Sequence, residues 1–98
     1  MHVIKVKVRV FGDLIKLLGN EMAIELNEGS EINDLILEIA EKVPDFREKV
    51  KSLSSQQGIT DFNFTILLNG ANINLLNGPK TKLNDGDTVV FLPPAAGG

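Results

Sequence analysis

Ser30-Glu31-Ile32-Asn33-Asp34-Leu35-Ile36-Leu37-Glu38-Ile39-Ala40-Glu41-Lys42-Val43-Pro44 is the stretch that decides the fold. Within it Ile32, Leu35, Ile36, Ile39, Ala40 and Val43 recur at steps of three and four residues. That spacing gathers them on one stripe of an α-helix, while Asp34, Glu38, Glu41 and Lys42 fall away from it. Ser30 is the expected N-cap, its hydroxyl accepting from a free amide of the first turn. Pro44 stops the helix, because a residue before proline avoids the helical region. The spacing predicts a helix from Glu31 to Val43. One such helix cannot bury its stripe alone and needs an apolar sheet face opposite it.

The flanks supply that face. Ile4, Val6, Val8 and Val10 alternate with Lys5, Lys7 and Arg9, which is the period of a half-buried strand. Gly12-Asp13 breaks it; Asp13 is expected to cap a short helix containing Leu14, Ile15, Leu17 and Leu18, with Gly19 ending it. Met22, Ile24 and Leu26 repeat the strand pattern before the turn Asn27-Glu28-Gly29. Past Pro44, Asp45 is expected to cap a second helix with Phe46, Val50 and Leu53 inward, and Ser54 to Gly58 reads as an exposed loop. Phe62, Phe64, Ile66 and Leu68 alternate as a further strand. Asn69-Gly70 is a hairpin signal, since both residues tolerate positive φ, and Ala71 to Leu75 is the expected return strand. Asn77-Gly78-Pro79 is another turn, and Asn84-Asp85-Gly86-Asp87 leads into a last strand, Thr88 to Leu92. The expected fold class is α+β: a roll with a mixed sheet of four to five strands and one main helix packed across it. Residues 1–92 form its single domain, and 93–98 an extended C-terminal tail.

Composition narrows the function. Net charge is −3 over 98 residues, with a pI near 5.0. A phosphate backbone calls for concentrated Lys and Arg, so no nucleic-acid partner is expected. The row Lys5, Lys7, Arg9 reads as the solvated face of a strand. With no cysteine there is no disulfide, thiolate zinc site or thiol nucleophile. No apolar run reaches the roughly 18–20 residues of a membrane span, and Met1 to Lys5 does not read as a signal peptide. A cytoplasmic protein is the expectation. Asn63-Phe64-Thr65 matches a glycosylation pattern that an unexported chain would not use.

Side-chain catalysis finds little support. The single histidine, His2, lies at the N-terminus, where a general base is poorly held. Asp85-Gly86-Asp87 lacks the alternating ligands of a calcium loop and reads as a turn. Gly78-Pro79-Lys80-Thr81 lacks the glycine directly before lysine that a P-loop requires. No metal site is expected. The tail Pro93-Pro94-Ala95-Ala96-Gly97-Gly98 is different. Proline cannot donate to a ladder, so Pro93-Pro94 ends the last strand and sends the chain away extended. Ala95 and Ala96 are small, and Gly97 and Gly98 carry no side chain, so the backbone can pass close to walls. Six extended residues reach about 20 Å. Such a tail suits insertion into a narrow channel of another protein, with the Gly98 carboxylate as the reactive group.

These residues bring a family into view. Val8 to Leu14 with Leu17-Leu18-Gly19, Gly29 to Leu35, Leu68-Asn69-Gly70, and Leu83 to Val89 running into Leu92 to Gly98 together resemble the small, sulfur-carrying subunit of molybdopterin synthase and the wider group of ubiquitin-like sulfur carriers. The resemblance spans nearly the whole chain and is most specific in the tail and the Asp-Gly-Asp turn. It implies a β-grasp (ubiquitin-like) fold with the first and last strands central and parallel. It also implies a carrier that is not an enzyme by itself. A ubiquitin-activating-like adenylyltransferase would use ATP and Mg²⁺ to adenylate Gly98, no cofactor being held permanently. A sulfurtransferase would then supply sulfur to form a thiocarboxylate, and the large catalytic subunit of the synthase would take the tail and pass sulfur to a pterin precursor. Docking is expected to use apolar residues near the tail: Phe91 or Leu92, and Ile73 or Leu75, one of each pair pointing inward. Pro93, Pro94, Ala95 and Ala96 would contact the partner as the tail enters its channel. Two stretches, Pro44 to Phe62 and Asn69 to Leu83, look longer than in compact bacterial members. Other acceptors stay open: thiamine, transfer RNA, or lysines of proteins modified through Gly98. So does an inert interaction domain.

Overall fold

The computed structural model describes residues 2–53 and 65–92; of Asp13 and 49–53 it describes the backbone only. In chain order the elements are β1 (Val3–Val10), α1 (Ile15–Leu18), β2 (Glu21–Asn27), α2 (Ile32–Lys42), α3 (Pro44–Leu53), β3 (Thr65–Leu68), β4 (Ala71–Asn72) and β5 (Thr88–Leu92), with 3-10 turns at Gly12–Leu14, Ile73–Leu75 and Gly78–Lys80. The sheet order is β2-β1-β5-β3-β4. β1 and β5 are parallel and interior, and the remaining pairs are antiparallel. This is the β-grasp arrangement that the resemblance implies.

Alternation in the sequence becomes two sheet faces. Every second residue of β1 is buried, from Ile4 to Val10. Ile24 and Leu26, Ile66 and Leu68, and Val89 and Phe91 share that inner face. α2 lies over it and buries Ile32, Leu35, Ile36 and Ile39. Each such side chain stabilises the fold by about 1.5–3 kcal/mol relative to exposure. Phe46 from α3 closes one end, stacked on Phe91 with ring centroids 6.2 Å apart and planes 22° apart.

Helix ends depart from expectation for local reasons. The N-cap of α2 is Glu31, not Ser30: the Asp34 carboxylate accepts from the Glu31 amide at 2.8 Å. Ser30 is engaged one residue earlier, its carbonyl accepting from the Leu83 amide at 2.9 Å. Pro44 does end α2, with Val43 extended at φ −128°, ψ 94°, but it also opens α3. Proline suits that first helical position because its missing N–H would have had no intrahelical partner. Asp45 thus lies within the first turn of α3 rather than capping it. Gly12-Asp13-Leu14 is a 3-10 turn and Leu14 caps α1, so Asp13 is not the cap; Gly19 ends α1 at φ 77° as expected. The return strand after Gly70 is only two residues long. Asn72 accepts from the Asn74 amide at 2.8 Å, which curls Ile73–Leu75 into a 3-10 turn instead of a strand. Phe62, Phe64 and the loop 54–58 lie outside the described residues.

Candidate docking surface at the root of the tail

β5 carries the chain to the tail, so whatever fixes β5 fixes where the tail leaves the domain. Its start is tied on both sides. The Asp85 carboxylate accepts from the Lys5 amide at 2.8 Å, the Gly86 amide donates to the Lys5 carbonyl at 2.9 Å, and the Lys7 amide donates to the Asp87 carbonyl at 2.9 Å. On the other side the Asn69 side chain donates to Asp87 at 3.0 Å and accepts from the Thr88 amide at 2.9 Å. The Asn69 amide donates to the Thr88 carbonyl at 2.8 Å, and Asp87 also accepts from the Asn84 amide at 2.8 Å. A carboxylate accepting backbone N–H groups makes the stronger, charge-assisted kind of bond. Asp85-Gly86-Asp87 is therefore a turn whose carboxylates hold backbone. Among the described residues no group of three His, Cys, Asp or Glu is placed to hold a metal.

With β5 fixed, its two faces separate. Phe91 is fully buried and Leu92 half-buried on the opposite face. Ile73 is buried, whereas Leu75 is 83% exposed. The core therefore takes Phe91 and Ile73, and their place among surface contacts is withdrawn. Leu92 and Leu75 are the two on the outside. Residues 93–98, with Pro93, Pro94, Ala95, Ala96, Gly97 and Gly98, lie outside the described residues.

The outer face holds two apolar residues that the sequence reading passed over. Leu67 is paired with Val90, and Val90 with Arg9, so Arg9, Val90 and Leu67 form one row across three strands. Thr65 pairs with Leu92 in the next row. Leu67, Val90 and Leu92 are all half-buried, giving an apolar strip that ends where β5 ends. A signal for it was present: Val89 to Leu92 and Ile66 to Leu68 are apolar at successive positions, where a strand with one solvated face would alternate. Beside the strip stand Lys5, Lys7 and Arg9, all exposed. Glu21 lies 3.9 Å from both Lys7 and Arg9, and the Arg9 guanidinium sits 6.0 Å from the Phe11 ring centre. Phe11 itself is 42% exposed. The surface is an apolar strip with a basic border.

Comparison with known proteins agrees with the fold. The ThiS family profile matches residues 8–98, nearly the whole chain and its C-terminus included. The chain belongs to the ThiS family. Its members are ubiquitin-like sulfur carriers. A chain from Pyrococcus furiosus, named as a proposed molybdopterin converting factor subunit 1, is 34% identical, with a TM-score of 0.74 over 94% of this chain and 99% of that one. The small archaeal modifier protein 1 of Methanosarcina acetivorans is 29% identical, with a TM-score of 0.78 over 100% of both chains. The BexX/CysO complex of Amycolatopsis orientalis contains a chain that shares the fold at 21% identity and a TM-score of 0.71, over 95% of this chain and 99% of that one. Among curated proteins none matches the sequence. No helix among the described residues is long and apolar enough to cross a membrane.

Proposed function

We propose that this ThiS-family carrier acts through the carboxylate of Gly98 and delivers sulfur for the building of molybdopterin. The observation carrying the reading is that the family match runs to Gly98 while the relative at 34% identity is named as a proposed molybdopterin converting factor subunit. A carboxylate is a poor electrophile, being an anion with no good leaving group. An adenylyltransferase would let the Gly98 oxygen attack the α-phosphorus of ATP, releasing pyrophosphate and leaving an acyl-adenylate. The outer sulfur of a sulfurtransferase persulfide then displaces AMP to give an acyl disulfide, and a second thiol attacks the sulfurtransferase sulfur, forming a disulfide with it and releasing the thiocarboxylate on Gly98. The chain has no cysteine, so the sulfur must come from outside it. The catalytic subunit of the synthase would receive the tail, with Leu67, Val90, Leu92 and the neighbouring basic row as the docking face. Leu75 would lie at its periphery.

Incubation with ATP, Mg²⁺, an activating enzyme and a sulfur donor, followed by intact-mass measurement, tests the reading. Replacement of one terminal oxygen by sulfur is the expected change. An unaltered mass alongside a carrier that reacts in the same mixture would overturn it.

The likeness to a small archaeal modifier protein over the full length of both chains favours a second reading, conjugation of Gly98 to lysines of other proteins. That use leaves a branch on target lysines that trypsin, cutting after Lys82, trims to Leu83 to Gly98. Pure sulfur carriage leaves none.

A further inference from the structure

Two turns carry the dipeptide Asn-Gly: Asn69-Gly70 at the β3–β4 hairpin and Asn77-Gly78 ahead of the last 3-10 turn. The pair is reactive without any enzyme. The glycine backbone nitrogen attacks the asparagine side-chain carbonyl carbon. A new carbon–nitrogen bond closes a succinimide ring, the bond to the side-chain nitrogen breaks, and ammonia leaves with the proton from the attacking amide. Water then opens the ring at either carbonyl, giving aspartate or isoaspartate. Glycine favours closure because it has no Cβ to crowd the ring. What separates the two sites is whether the asparagine side chain is free to turn towards that nitrogen.

At Asn69 both ends of the side-chain amide are held. Its nitrogen donates to Asp87 at 3.0 Å, and its oxygen accepts from the Thr88 amide at 2.9 Å. Ring closure must break both bonds, at a residue whose own amide is also tied to the Thr88 carbonyl. Asn77 is held through its backbone alone. Its amide donates to the Thr81 hydroxyl at 3.1 Å, and its carbonyl accepts from the Lys80 amide at 3.1 Å. Its exposed side chain has no hydrogen-bond partner among the described residues. Opening one surface turn is a local event, whereas freeing Asn69 disturbs the junction of β3 and β5.

We propose that Asn77 is the site of spontaneous deamidation in the folded protein, and that the Asp87–Asn69–Thr88 clasp protects Asn69, which is followed by the same glycine. Conversion at Asn77 adds one negative charge beside the exposed Leu75 and Leu76. Conversion at Asn69 would set a second carboxylate against Asp87 and remove the donor between them.

The test keeps the full chain in warm, mildly alkaline buffer and follows each site by peptide mapping, with fragment ions locating the amide-to-acid mass change. A parallel sample is held in concentrated urea. In the folded chain Asn77 converts first and Asn69 about ten-fold or more slowly, as expected when two hydrogen bonds must open beforehand. In urea the two rates converge. Asp87→Ala raises the Asn69 rate in the folded state. If that variant fails to fold, the folded and urea samples of the unaltered chain decide the matter. Equal rates at both sites in the folded protein, or an Asn77 that converts in urea but not in the fold, overturn the proposal. So does a folded Asp87→Ala variant that leaves the Asn69 rate unchanged.

Discussion

Phe46 and Phe91 stack within the core, 6.2 Å between ring centres, joining the start of α3 to the strand that leads into the tail. Both rings are fully buried. The contact ties the helical segment after Pro44 to the middle of the sheet. Truncating either ring to alanine should destabilise the protein by about 3–5 kcal/mol. A double-mutant cycle should return a coupling of about 0.5–1.5 kcal/mol for the aromatic pair. Urea unfolding of the three variants measures both quantities. Additive losses would show that the rings only fill space.

The outer strip should separate binding from folding. Val90→Asp and Leu67→Asp place a charge on half-buried positions that face away from the core. We expect each to lower affinity for the catalytic subunit of the synthase by on the order of ten-fold or more, since a carboxylate buried without a partner in an apolar interface is strongly unfavourable. Leu75→Asp, at an 83% exposed position, should change stability by less than about 0.5 kcal/mol. Binding by calorimetry and thermal melts of the same samples make the comparison.

Removal of Gly97 and Gly98 should leave the melting temperature unchanged and abolish adenylation. Those residues follow the last strand in the sequence. Pyrophosphate release with the activating enzyme is the readout. Release at the normal rate from the truncated chain would remove the Gly98 carboxylate from the chemistry.

The clasp at the start of β5 should be measurable in stability. Asn69→Ala removes two side-chain hydrogen bonds and puts a Cβ-bearing residue at φ 51°, where asparagine is better tolerated than alanine. A loss of about 1–3 kcal/mol is expected. Asn69→Gly removes the same bonds but accepts the backbone angle, so it should lose less. The difference between the two, read from denaturant curves, isolates the conformational part.

Glu21 sits 3.9 Å from Lys7 and Arg9, with all three side chains about half exposed. Exposed pairs of this kind contribute about 0–1 kcal/mol. Glu21→Gln should therefore barely change stability, and its small effect should fade with added salt. If the basic border assists docking, the same variant should speed association with an acidic partner surface. Stopped-flow association at two salt concentrations tests that.

Much of the fold was legible because its elements are strongly periodic. The stripe from Ile32 to Val43 and the alternation from Ile4 to Val10 each fit one period only, and both became the expected elements. What escaped was decided by neighbours. Ser30 looks like a cap until its carbonyl is seen bonded to Leu83, 53 residues further along the chain, and Glu31 with Asp34 takes over. The stretch after Gly70 looks like a strand until Asn72 captures the Asn74 amide. For the docking face, alternation alone left open which of Phe91 and Leu92 points inward. The pairing of Val10 with Phe91 and of Thr65 with Leu92 settles it, and it brings Val90 and Leu67 together from strands far apart in the chain. No local pattern contains that pairing.

β5 lies between β1 and β3, bonded to both along its length. Traction applied at Leu92 along the strand therefore loads two ladders at once in shear, and cannot open them one bond at a time as it could at a sheet margin. A partner drawing on this end of the molecule would meet a mechanically stiff anchorage, and the domain would follow its own terminus as one body before any strand came loose.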